Sequence, residues 1–164
     1  MIFQEPSTAL NPLHRVEKIV GENFILQGGS KAKAQQQVIQ LLKDVGIANP
    51  EYILKRYPHE LSGGQKQRVM IAAALVLQPK ILIADEPTTA LDVILQTQIL
   101  ELLKSLQSKY GMALILISHD LNLVRRYADK LIVLHKGQVV EQGQLQQIFK
   151  NPASIYTQQL LEDR

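Results

Sequence analysis

The sequence predicts an α/β fold in which an all-helical first stretch leads into a parallel-sheet core. Two short unbroken apolar runs, Ile81-Leu82-Ile83-Ala84 and Leu114-Ile115-Leu116-Ile117, have the texture of parallel strands covered on both faces. Between them Leu95, Ile99, Leu102, Leu103 and Leu106 recur at helical spacing, so strand, helix and strand follow in order as a crossover unit. The residues ahead of both strands carry helical periodicity instead.

The elements follow in chain order. Met1 to Pro6 is an apolar stub that runs into a Ser/Thr/Asn/Pro loop ending near Pro12, and reads as the tail of an element. From Lys31 to Val45, the apolar residues Val38, Leu41, Leu42 and Val45 share one helical face, and Gly46 closes it. A short helix is expected from Pro50 to Arg56. After Pro58 breaks the pattern, Ser62 followed by Gln65 forms a capping box that opens a helix through Val69, Ala73 and Leu77, ended by Gln78-Pro79. Beyond the strands, Leu131–Leu134 and Gln138–Glu141 around His135-Lys136-Gly137 read as a hairpin. Leu145–Lys150 and Ser154–Leu161 read as closing helices around Pro152.

Composition narrows the function classes. A chain of 164 residues with 46% hydrophobic and 20% charged residues is one ordinary globular domain, long enough to bury a core. Lys and Arg exceed Asp and Glu by 18 to 15, a net charge of +3 without a clustered basic face, which argues against a nucleic-acid partner. Cysteine is absent, so disulfides, thiolate metal sites and cysteine nucleophiles are excluded, in keeping with a reducing compartment. No apolar run approaches the roughly 18 residues that would span a bilayer, and the N-terminus lacks a signal-peptide layout. The four histidines have no zinc spacing, and His59-Glu60 is followed by Gly63 where a zincin helix needs its second His.

Two segments point to phosphate chemistry. The strand Ile81–Ala84 delivers the adjacent acids Asp85 and Glu86 at its C-terminal end, where open α/β sheets bind ligands. An Asp there can hold Mg²⁺ while a neighbouring Glu orients and deprotonates water, although a solvated turn before Pro87 accounts for the same residues. In Leu61-Ser62-Gly63-Gly64-Gln65 the capping box explains Ser62 and Gln65, but not two glycines in a first helical turn, each costing roughly 1 kcal/mol relative to Ala. Glycines there let backbone N–H groups approach a polyphosphate at the positive end of a helix.

Taken together, Gln4, Leu61–Gln65, Asp85-Glu86, Ala90-Leu91-Asp92 and His119 resemble, in order and spacing, the ATP-binding cassette ATPases. That resemblance implies a P-loop NTPase-like fold, with a helical subdomain and a distal parallel-sheet catalytic core. It divides the chain into a Q-loop region over 1–12, a helical subdomain with the signature over 13–78, a distal core over 79–143 and C-terminal helices over 144–164. Gln4 is then similar to the glutamine that touches Mg²⁺ and the attacking water. Ser62, Gly63, Gly64 and Gln65 are similar to the signature that contacts the γ-phosphate of ATP on the opposite cassette. Asp85 resembles the Walker B magnesium ligand, Glu86 the general base, Asp92 the D-loop aspartate at the dimer seam, and His119 the switch histidine. Alone, Gln4 reads as polar surface, Asp92 as a helix cap and His119 as a turn residue.

Finer likeness is to the oligopeptide, dipeptide and nickel importer branch. It rests on Phe3–Pro6 with Ala9–Pro12, Tyr57–Glu60, Arg68–Ala72, Ala84–Val93, and Pro152 with Tyr156–Leu161. Within that branch the first half of the double-cassette peptide and microcin C importer ATPases is most similar. Ile94 and Ala153-Ser154-Ile155 depart from the branch's pattern. The implied cofactors are ATP and Mg²⁺. The implied partners are a second cassette, membrane permease subunits and, indirectly, an external solute-binding protein, and the implied location is the cytoplasmic face of the inner membrane.

One motif is missing. No Gly-x-x-x-x-Gly-Lys-Ser/Thr occurs, and Gly28-Gly29-Ser30-Lys31 does not fit that spacing, so the Walker A strand and P-loop are absent. The family carries them ahead of the Q-loop. A truncated gene product, a misassigned start or a cut piece is therefore expected, inactive alone. The 57 positions from Gln4 to Leu61 leave no room for the long coiled coil of chromosome and DNA-repair relatives. A ribosome-associated cassette protein and a non-catalytic remnant that only binds a partner are the alternatives.

Overall fold

The computed structural model describes residues 1–89 and 91–162. They form two compact units, Met1–Ile117 and a second that starts at Ser118. The first runs α1 (Pro6–Ala9), α2 (Val16–Leu26), α3 (Lys31–Asp44), α4 (Pro50–Ile53), a 3₁₀ turn at Pro58–Glu60, α5 (Gly63–Leu75), β1 (Ile81–Asp85), α6 (Val93–Tyr110) and β2 (Ala113–Ile117).

Helix α2 is not visible in the periodicity, for a physical reason. Its N-cap residue, Arg15, makes no side-chain cap. Its first donors are satisfied from a distance instead, Val16 N–H by the Arg56 carbonyl at 2.9 Å and Glu17 N–H by that of Leu54 at 3.1 Å. Gly21, unfavourable by propensity, lets α2 lie close to α3: a Cβ there would stand 3.1 Å from Val38 Cγ2. Helix α3 carries the expected face, with Val38, Leu41 and Leu42 buried, and Ser30 capping it by accepting the Lys33 N–H at 3.3 Å. It closes at Gly46, which has φ +75°, and Arg68 donates from α5 to the adjoining Val45 carbonyl.

At the far end of α3, the Asp44 side chain is only 6% exposed and faces α6. It accepts from Tyr110 Oη, from Gln40 Nε2 at 2.8 Å and from Lys109 Nζ at 2.6 Å. Burial acts to raise the Asp44 pKa, but these three donors outweigh it and hold the carboxyl below its ordinary range. Burial and the same contact push the Tyr110 phenol upward.

Strands β1 and β2 pair in parallel, from Ile81 with Ala113 to Asp85 with Ile117, and Ile2 pairs in parallel with Ala84 on the other edge of β1. The crossover through α6 is therefore as expected. Burial on both faces is not. Ile2, Leu82 and Ala84 are buried on one face, whereas Ile81, Ile115, Ile117, Met1 and Phe3 are exposed, the last at 52%. The register sets these exposed residues on the opposite face, together with the half-buried Ile83 and Asp85.

The second unit contains α7 (Leu121–Tyr127), β3 (Lys130–His135), β4 (Gln138–Gln144), α8 (Leu145–Lys150) and α9 (Ile155–Glu162). Helix α7 was not expected. Asp120 caps it by accepting the Asn122 and Leu123 N–H groups. Strands β3 and β4 form the expected antiparallel hairpin, turned by Lys136 and Gly137 at φ 49° and 77°, the two left-handed positions that a tight hairpin turn requires. Glu141 accepts from the Ala153 and Ser154 N–H groups at 2.8 and 3.1 Å, tying β4 to the approach of α9. The Ala153 bond is the chief reason its carboxyl lies below its ordinary range.

Candidate functional site

At the C-terminal end of β1, the two acids are tied to opposite neighbours. Asp85 N–H donates to the Ile2 carbonyl at 3.0 Å, and Glu86 N–H donates to that of Ile117 at 3.0 Å. Glu86 has φ 45°, a left-handed conformation that L-residues adopt at a cost. It is the sharp exit from the strand. Its carbonyl accepts the Thr89 N–H at 3.3 Å, and its Oε2 accepts the Thr89 hydroxyl at 2.8 Å. A left-handed residue so thoroughly bonded is a built turn, which a merely solvated one would not require.

The turn is also gripped from two helices. Gln67 of α5, 1% exposed, donates its amide to the Pro87 carbonyl at 2.7 Å. Gln96 of α6 donates to the Thr88 carbonyl at 3.1 Å, and Thr88 is itself buried. Neither glutamine stands out in the sequence motifs. A signal for Gln67 exists: it occupies the same buried stripe as Ile71 and Leu75, where an apolar residue would be expected.

Gln4 lies two residues beyond Ile2 and is exposed, so its segment leaves the sheet at the same end as Asp85 and Glu86. Asp85 offers a carboxylate and Gln4 an amide oxygen at that end. No group of three or more His, Cys, Asp or Glu residues suited to a metal exists among the described residues. This sparse oxygen set fits Mg²⁺, which keeps waters and takes its remaining oxygens from a polyphosphate, better than it fits a metal caged by protein.

The capping box at Ser62 forms as the spacing predicts: Gln65 N–H donates to Ser62 Oγ at 3.3 Å, and Ser62 N–H to Gln65 Oε1 at 3.0 Å. A Cβ on Gly63 would meet nothing within 4 Å, so its backbone is open to an incoming ligand. A Cβ on Gly64 would stand 3.7 Å from Leu95 Cδ2, which sets the N-terminal ends of α5 and α6 side by side. Asp92 caps α6, its Oδ1 accepting the Leu95 N–H at 2.9 Å. The exposed Val93 and Ile94 follow it. Ala90, part of the same motif, lies outside the described residues, as do residues 163 and 164 of the expected closing segment. His119 is exposed and belongs to the second unit, two positions after β2 ends.

The first unit thus brings Asp85, Glu86 and the Gln4 segment to one sheet end, and sets Ser62–Gln65 beside the α6 start that Asp92 caps. A family model described as ABC transporter matches residues 1–89, more than half of the chain. The chain belongs to the ABC transporter family. It is 56% identical over 162 residues to a peptidoglycan transport ATP-binding protein of Agrobacterium fabrum, covering 98% of this chain and 30% of that protein. A dipeptide transport ATP-binding protein of Escherichia coli is 55% identical over 98% of this chain and 50% of its own length. An oligopeptide transport ATP-binding protein of Bacillus subtilis is 50% identical over 98% and 49%. The chain therefore spans half or less of these curated relatives. Among solved structures, cbiO1 from Clostridium perfringens, part of the cbiONQ ABC transporter complex, superposes with a TM-score of 0.79 and 34% identity, over 92% of this chain and 58% of that one. A dimeric ATP-binding cassette in a post-hydrolysis state, bound to ADP and Pi, gives 0.73 at 32% identity, over 88% and 61%. The α/β cassette fold and the likeness to peptide-importer ATP-binding proteins are as the sequence predicts.

Proposed function

We propose that this chain is the signature-bearing and catalytic-base-bearing part of the ATP-binding subunit of an importer for peptides or similar small solutes. The observation that carries this reading is the bonded left-handed turn that presents Glu86 directly after Asp85, in a chain half identical to peptide-transport ATP-binding proteins. Asp85 and the Gln4 amide hold Mg²⁺, which when bound neutralises phosphate charge. Glu86 takes a proton from the attacking water at its carboxylate. Ser62, the Gly63 and Gly64 N–H groups and Gln65 bind the γ-phosphate of ATP held on a second cassette. Asp92 orders the seam between the two, and His119 contacts the γ-phosphate. A permease receives the motion through the helices between Gln4 and Leu61, at the cytoplasmic face of the inner membrane, with an external solute-binding protein acting through the permease.

These 164 residues hold no P-loop, so the reading depends on a phosphate cradle supplied from outside them. Several backbone N–H groups and one Lys of a P-loop normally grip the phosphates. Losing three such bonds at about 1.5 kcal/mol each is roughly 4.5 kcal/mol, about a 10³-fold weakening. Nucleotide titration with Mg²⁺ tests this, on this chain and on the chain joined behind the P-loop segment of its Escherichia coli relative. The joined protein binds ATP and releases phosphate; this chain alone does neither measurably. Micromolar affinity with steady phosphate release from this chain alone would overturn the dependence on a P-loop, and an inactive joined protein would overturn the proposed function.

A further inference from the structure

We infer that Gln67 is a positioning residue for Glu86, holding the catalytic turn to the signature helix through the Pro87 carbonyl. The inference rests on the proposed roles of Glu86 and of Ser62–Gln65. Gln67 is 1% exposed, on the stripe of α5 that also buries Ile71 and Leu75. An apolar side chain there would avoid the cost of burying an amide, and the amide is retained with its Nε2 donating to Pro87 at 2.7 Å. Pro87 directly follows Glu86, whose left-handed φ of 45° must be maintained by its surroundings. The neighbouring Arg68 donates to the Val45 carbonyl at the end of α3. Consecutive residues of one helix therefore fasten the end of α3 and the turn that bears the base. Little more than one helical turn separates Gln67 from the Ser62 cap, so a phosphate drawing on the signature acts on a rigid element bonded directly to the Glu86 turn.

The test begins on this chain. Thr89 and Leu91 N–H groups donate to the Glu86 and Thr88 carbonyls, so their hydrogen-exchange protection reports the integrity of the turn. Gln67→Met should lower both protection factors about tenfold, the equivalent of one lost hydrogen bond, while those of Leu82 and Ala84 in β1 keep their values. Gln67→Glu should lower them at pH 8 and regain them as the pH falls, because only a protonated carboxyl can donate to Pro87. Should Gln67→Met fail to fold, this pH dependence still decides the matter. In the joined protein, Gln67→Met should lower kcat about tenfold and leave KM for ATP within about twofold. Unchanged protection at Thr89 and Leu91, or protection of Gln67→Glu that stays low at acid pH, would overturn the inference. So would an unchanged kcat for Gln67→Met where Glu86→Gln abolishes turnover. If Glu86→Gln hydrolyses ATP at the parent rate, the assignment of the base fails instead, and exchange on this chain still decides whether Gln67 holds the turn.

Discussion

Replacing Asp44 by Ala removes the carboxylate through which α3 grips the C-terminal end of α6. The Asp44 side chain is 6% exposed and accepts from Tyr110, Gln40 and Lys109. Lys109 is half exposed, so its ion pair is worth little, about 0–1 kcal/mol. The part-buried Tyr110 bond ends on a charged acceptor and is worth about 1.5–3 kcal/mol, the exposed Gln40 bond within α3 adds about 0.2–0.5 kcal/mol, and recovery of the carboxylate's desolvation cost offsets part of that sum. The expected loss is about 2–3 kcal/mol, read as a lowered urea midpoint with an unchanged slope. The pH dependence has a defined sign. The folded pKa of Asp44 is depressed, so its stabilisation is present in full above the unfolded carboxyl's pKa and disappears as the pH falls through the folded value. The parent should therefore lose its advantage over Asp44→Ala in acid. A midpoint for Asp44→Ala equal to the parent's at neutral pH, or a difference that grows on acidification, would refute this reasoning.

Two further outcomes are expected. Gly46→Ala should destabilise the chain by about 1–2 kcal/mol, because an L-residue resists φ +75° and its Cβ would stand 2.7 Å from Arg68 Nη1; a neutral effect in thermal melts would count against the Arg68 contact. Crosslinkers placed between Gln4 and Leu61 should capture a cytoplasmic loop of a permease, and capture confined to residues after Asp120 would remove the proposed coupling surface.

Elements whose stability is local were legible in the sequence. Helix α3 announces itself through its apolar stripe and Gly46, and α5 through the Ser62 and Gln65 box, because each carries its own signals close in sequence. Helix α2 was not, because its N-terminal donors are met by Arg56 and Leu54 and its Gly21 serves a neighbour. Helix α7 is only 7 residues long, too short to show a period, and its one local signal is the Asp120 cap directly after His119, which by itself reads as a turn residue. The open face of the sheet was hidden because an unbroken apolar run describes the residues of a strand and not what lies above them. For the site, the pattern of acids and glycines names Asp85, Glu86 and Ser62–Gln65. The left-handed φ of Glu86 and its support by Gln67 and Gln96 depend on pairings between separate elements, which no local spacing encodes.

The central claim is that the turn after β1 carries the base that activates water. Its most direct measurement is single-turnover ATP hydrolysis by the joined protein with Glu86→Gln. An amide cannot accept the proton, so hydrolysis should fall about 10²–10⁴-fold while ATP binding is retained. Hydrolysis at the parent rate would contradict the claim.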